Sequence, residues 1–258
     1  MEALQFGAVL VYTPAMLELH NISAAYDRTR VVDSVTATAQ AGELTVITGP
    51  NGAGKTSLLN VLAGRIAALN GTLYFQGEAI DPEDDSWRDR ISYTAADSGV
   101  LQVLTVEEQL GLLCRLTGTG PVASADRTDE VLRLLQLDDH RDYRGDELSS
   151  GLTKRLQIGL GIARNADVYL FDEPFNGLDA ESVAVLQEIL TVLLDRRRYI
   201  FIATHILHFL QGLPAAVWEL EGGKVNAVFA GEAATVRLKE LAGQQEAGGE
   251  KDILPWIA

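Results

Sequence analysis

Short alternations of apolar and polar residues run from residue 16 to residue 48, in "LELHNISAAY" and "RVVDSVTATA". They predict antiparallel strands with turns at "DRTR" and "QAGE". The strand "LTVIT" leads next into a glycine-rich stretch, and "LLNVLAGRI" beyond it carries the apolar face of a helix from about Lys55 to Arg65. "NGTLYFQGEAI" reads as a hairpin turning at Asn70-Gly71, and "DPEDDSW" as an acidic loop. Between about residues 97 and 150 strand patterning stops and apolar residues recur at helical spacing in "TVEEQLGLLCRL" and "TDEVLRLLQL", which predicts a helical insertion. Strand runs return at "DVYLF" and "RYIFIAT". Between them "SVAVLQEILTVLL" sets Val183, Leu186, Leu190 and Leu193 on one helical face.

Strands alternating with helices predict an α/β fold with a mainly parallel sheet and helices on its faces. An antiparallel β subdomain precedes it and the helical subdomain is inserted into it. Residues 1–15 are expected to be an extension before the domain proper. After "WELEGGKV" the chain turns Gly-, Gln- and Glu-rich, so residues 226–258 are expected to form a C-terminal tail.

Composition narrows the class of function. The chain of 258 residues is 47% apolar, enough for a sizeable core, and carries a net charge of -15. That charge argues against nucleic acid or anionic lipid as a main partner, because both select cationic surface. Cys114 is the sole cysteine, so no intrachain disulfide forms. No apolar run reaches the ~18–20 residues that cross a bilayer, and the chain is not expected to insert in a membrane by itself.

Three stretches carry chemistry. Gly49 to Thr56 match G-x-x-x-x-G-K-[ST] at every specified position. In such a loop Gly49, Gly52 and Gly54 let backbone approach a ligand closely, and Asn51, Ala53 and Ser57 share the loop and the helix start. Lys55 is placed to reach β- and γ-phosphates, and the Thr56 hydroxyl to ligate Mg²⁺. "DVYLFDEP" is an apolar strand ending in Asp172 and Glu173. Side chains alternate along a strand, so these carboxylates divide two tasks: one holds Mg²⁺, the other orients and deprotonates an attacking water. "ELSSGLTKR" reads as a helix start with Ser149 as N-cap.

In this order and spacing the three stretches resemble the ATP-binding cassette ATPases, a family of P-loop NTPases, over roughly residues 17–225, within a domain spanning 16–225. The resemblance implies ATP and Mg²⁺ as cofactors, Tyr26 as the adenine-stacking aromatic, and Thr56 and Asp172 on the metal side. It assigns Glu173, His205 and Lys55 to catalysis, His205 being the switch histidine. Ser149, Ser150, Gly151 and Asp179, the last within Gly177-Leu178-Asp179, would contact ATP held by a second subunit. Departures are visible too. Alanine (Ala96, beside Asp97) stands where the family usually has a glutamine, and Ser150 and Leu152 replace the usual glycine and glutamine. The implied function is ATP binding and hydrolysis in an exporter-like transporter, beside a separate transmembrane permease docked on the helical insertion. The ATPase would then sit peripherally on the cytoplasmic membrane face. A soluble cassette ATPase, for example of the iron–sulfur assembly type, is the alternative.

Overall fold

The computed structural model describes residues 16–96, 99–116 and 121–249. The chain opens with β1 (Met16–Tyr26) and β2 (Thr29–Gln40), then passes through β3 (Leu44–Thr48) into helix α1 (Lys55–Leu62). Strands β4 (Asn70–Phe75) and β5 (Glu78–Ile80) form a hairpin, and the single-turn α2 (Asp85–Arg88) leads to β6 (Ile91–Thr94). Helices α3 (Val106–Leu116), α4 (Pro121–Leu134) and α5 (Ser150–Ala163) follow. Then come β7 (Val168–Asp172), α6 (Ala180–Asp195), β8 (Tyr199–Ala203), β9 (Ala215–Glu221), β10 (Lys224–Phe229) and α7 (Gly231–Gly249).

Two sheets result. A four-stranded antiparallel sheet has the order β2-β1-β4-β5, and a six-stranded sheet the order β10-β9-β3-β8-β7-β6. In the larger sheet every pairing is parallel except that of β10 with β9. The expected α/β class, with its antiparallel β subdomain and inserted helices, is therefore the observed one.

Apolar runs form the central strands because both faces of the large sheet are covered. Successive residues point to opposite sides. Val168, Leu170, Tyr199 and Phe201 join α1 and the small sheet in one core. Tyr169, Phe171, Ile200 and Ile202 join the helices of the other side in a second core. The predicted stripe Val183, Leu186, Leu190 and Leu193 on α6 is buried in that second core. In the helical insertion, the Gln109 side chain accepts from Leu101 N at 2.8 Å and donates to the carbonyls of Leu101 and Leu104, both at 3.0 Å. One polar side chain thereby replaces the ladder that the irregular segment before α3 lacks.

Three sequence expectations are corrected. The hairpin turns at Gln76-Gly77, between β4 and β5, and Asn70-Gly71 lies inside β4. Residues 81–88 hold a helical turn capped by Asp84, whose side chain accepts from Ser86 N at 2.8 Å. Beyond residue 225 there is ordered structure where a tail is expected: β10 pairs with β9, and α7 buries Ala234, Leu238 and Ala242 in the helical-side core. Ala, Gly, Gln and Glu make up much of the sequence there, and two of the three buried stripe residues are alanines, so the amphipathic signal is faint. Residues 1–15 and 250–258, to which the expected extension and the end of the expected tail belong, lie outside the described residues.

Candidate nucleotide site

The glycine-rich loop joins the end of β3 to α1 and is braced from two distant parts of the chain. Gly223 N, in the turn between β9 and β10, donates to Ala53 O at 2.9 Å, and Asp33 N of β2 donates to Gly223 O at 2.8 Å. Gly49 has φ +148, and a Cβ there would collide with the Leu220 carbonyl of β9. Both the backbone angle and the collision involve groups that cannot rotate away. Gly49→Ala is expected to cost ~2–4 kcal/mol of stability, the sum of backbone strain and overpacking, read as a lowered urea midpoint with unchanged slope.

At the loop's far end Gly54 is the N-cap of α1 at φ 102, with no side chain bonded to the first helical amides. Those amides and the dipole end of the helix are the donors an anion requires. Lys55 is only 9% exposed. Its Nζ donates to the carbonyls of Gly49 at 2.8 Å and Pro50 at 3.2 Å. Among the described residues no carboxylate lies within ion-pair distance of it. A buried ammonium hydrogen-bonded to neutral carbonyl oxygens, beside uncapped helical amides, is a cradle for a polyanion.

Across from the loop, β7 delivers Asp172 and the chain then turns sharply, with Glu173 at φ 49. Asp172 is 5% exposed. Burial raises its pKa above the usual carboxylate range, and the Thr56 hydroxyl bonded to it pulls the other way. An oxygen-only set of one carboxylate and one hydroxyl, open toward the phosphate cradle, suits Mg²⁺, which takes few protein ligands and completes its shell with phosphate and water. Asp172 and Thr56 are the residues that would hold it.

Glu173 faces the other way. Its Oε2 lies 2.9 Å from His205 Nδ1, accepts from Thr204 Oγ1 at 3.1 Å, and accepts from His205 N at 3.3 Å. The end of β8 thus fixes the carboxylate from three directions, leaving it able to take a proton from a water in front of it. Tyr26, at the end of β1, is half exposed; burial and then the Asp172 carboxylate raise the Tyr93 phenol, with Tyr26 a lesser contributor. Asn51, Gly52 and Thr56 are exposed at the loop, Ala53 is buried beneath it, and Ser57 is half-buried on α1.

Ser149, Ser150, Gly151 and Asp179 form a separate place. Ser149 caps α5, its Oγ accepting from Leu152 N at 3.3 Å, as expected from the sequence. Asp179 caps α6, accepting from Ser182 N at 2.7 Å, and these bonds hold its carboxyl below the usual range. The Asp179 Oδ2 is 3.2 Å from the position a Cβ on Gly151 would take, so the two motifs touch. Ser149, Gly151 and Asp179 line a cavity of about 370 Å³ together with Gln136, His140, Leu152, Arg155 and Glu181, and none of residues 49–57 lines it. The fold therefore brings Lys55, Thr56, Asp172, Glu173 and His205 together and sets the Ser149 group apart.

Sequence reasoning missed Arg155, which is 6% exposed and ties α5 to α6. It bonds Ser182 Oγ at 2.8 Å, Gln136 Oε1 at 2.9 Å and Glu181 Oε2 at 2.8 Å. Only its place one turn into the helix, on the apolar side, could have signalled it. Two residues beyond β6, the Ala96 carbonyl accepts from Lys154 Nζ at 2.8 Å, and Asp97 lies outside the described residues.

The chain is also similar to known proteins in sequence and fold. A family model described as ABC transporter matches residues 32–176. An ABC transporter ATP-binding/permease protein of Mycobacterium tuberculosis is 33% identical over 75% of this chain, which spans 23% of that protein's length. The daunorubicin/doxorubicin resistance ATP-binding protein of Streptomyces peucetius is 31% identical, over 88% of this chain and 68% of its own. Among solved structures, an ATP-binding subunit of an ABC transporter superimposes with TM-score 0.78 at 24% identity, covering 91% of this chain and 98% of that one.

Proposed function

The chain belongs to the ABC transporter ATP-binding family, and on that premise we propose that it binds and hydrolyses Mg²⁺-ATP to drive a membrane permease. The observation that carries the reading is Lys55, a buried cation hydrogen-bonded to the Gly49 and Pro50 carbonyls and set among uncapped amides at the start of α1.

In this reading Lys55 and the loop amides grip the β- and γ-phosphates, and Tyr26 stacks on the adenine. Thr56 and Asp172 hold Mg²⁺, which neutralises phosphate charge. Glu173, fixed by Thr204 and His205, takes the proton of a water as its oxygen bonds to the γ-phosphorus. The bond from that phosphorus to the bridging oxygen breaks, and ADP leaves with the electron pair. His205 reaches the γ-phosphate from the same side.

Ser149, Ser150, Gly151 and Asp179 lie apart from the loop of their own chain, so their phosphate partner is the ATP of a second cassette subunit. The sandwiched nucleotide then holds the dimer closed until it is cut. The permease docks in the cleft of about 910 Å³ between the core and the helical insertion, whose walls include Tyr93, Leu113, Leu116, Leu160 and Arg164. Leu116 is 73% exposed there, an apolar side chain that a partner helix would cover. Among the described residues no helix is long and apolar enough to cross a membrane, and the proposed location is the cytoplasmic face, through the permease.

Phosphate release from ATP tests the reading. Expected is Mg²⁺-dependent hydrolysis, half-saturating in the range of about 1 µM–1 mM ATP. Failure to bind ATP at millimolar concentration would refute it.

A further inference from the structure

Resting on the nucleotide-site reading above, we propose that Tyr93 is a positioning residue for Asp172, anchored by Arg65 and shared between the metal-side carboxylate and the cleft. The strand that carries Tyr93 pairs in parallel with β7, with Tyr93 opposite Leu170 and Thr94 opposite Phe171. Its phenol reaches past the strand end to within 3.5 Å of Asp172 Oδ2. That separation is the outer limit of a hydrogen bond, closed by a small rotation of either side chain. The Arg65 guanidinium covers the ring at 4.3 Å from its centroid. Arg65 follows α1 directly, its backbone N donating to Asn60 O at 2.9 Å, so the ring is clamped from the helix that begins with Lys55 and Thr56. Tyr93 and Arg65 both line the cleft of about 910 Å³.

The chemistry follows from what else touches Asp172. Two hydroxyls address this buried carboxylate, those of Thr56 and Tyr93. A cation taking the Thr56 oxygen uses up one of them. Tyr93 is then the donor left to hold one carboxylate oxygen and aim the other at the metal. At the end of its own strand Ala95 and Ala96 bring no polar side chain to the task. Because the same ring forms the cleft wall, what fills the cleft and where Asp172 points are linked through one side chain.

The test compares ATP affinity in Mg²⁺ with that in EDTA, using a fluorescent ATP analogue and the full chain. Tyr93→Phe keeps the ring and removes the hydroxyl. It should reduce the Mg²⁺-dependent gain in affinity about threefold to tenfold, the size of one ordinary net hydrogen bond, and leave the EDTA affinity unchanged. Arg65→Gln, which frees the ring and keeps the hydroxyl, should act in the same direction with a smaller effect. An unchanged gain in both folded variants overturns the proposal, as does an equal loss with and without Mg²⁺, which would mark a merely structural role. Failure of the wild-type chain to bind the analogue at all is a different result and removes the nucleotide reading itself.

Discussion

Glu173→Gln should lower ATP turnover by about 10²–10⁴-fold, the range a positioned general base supplies, and leave ATP affinity near that of the wild type. The substitution is isosteric. An amide oxygen still accepts from Thr204 Oγ1 and His205 N, which stand 3.1 and 3.3 Å from the carboxylate oxygen they now serve. What the amide cannot do is take a proton from water. The cradle around Lys55 is untouched, so ATP enters and stays. If two chains share each triphosphate, the uncut nucleotide keeps them together, and the variant should run as a dimer in ATP and as a monomer without it. Phosphate release and size-exclusion chromatography read the two halves of this expectation separately. Turnover near wild type would remove Glu173 from the chemistry. A monomer at saturating ATP would remove the Ser149 group from the phosphate.

Lys55→Ala should act one step earlier, on binding. An ammonium serving phosphate makes charge-assisted bonds of about 1.5–3 kcal/mol each, so affinity should fall on the order of 10²-fold. Stability of the nucleotide-free chain should change little. The ammonium is only 9% exposed, and its present partners are the neutral carbonyls of Gly49 and Pro50. Removing it sheds the cost of a buried charge along with those bonds. Titration of a fluorescent ATP analogue, paired with a thermal melt without nucleotide, checks both parts. A large drop in melting temperature would mean that Lys55 is structural, and an unchanged affinity that it faces no phosphate.

These expectations show which features were legible in the chain alone. The loop at 49–56 and the pair at 172–173 could be read because their chemistry is local: a few adjacent residues and the strand or helix that carries them suffice. The capping role of Ser149 was readable for the same reason. Asn70-Gly71 misled because the pair answers a neighbour. In β1, Asn21 bulges at φ 53, and the carbonyls of His20 and Asn21 press where a Cβ on Gly71 would sit. A glycine there makes room for a bulge in the next strand, and only pairing reveals it. Tyr93, Arg65 and Arg155 were hidden in the same way, their partners standing between 19 and 79 residues away. The fold itself was largely visible, since buried parallel strands and amphipathic helices declare themselves by period. The C-terminal strand and helix were not, because small apolar residues among Gln and Glu leave little amplitude to read.

The brace beneath the glycine-rich loop also bears on how the molecule is made. Gly223 secures Ala53 across a span of chain that includes the helical insertion and most of the large sheet. On the ribosome, residues 49–57 emerge early and wait while everything up to the last hairpin is synthesised. A nascent chain halted at the carboxylate strand would possess the motif's letters without its rigid cup. The braced form of the loop is acquired only when the β9–β10 hairpin arrives.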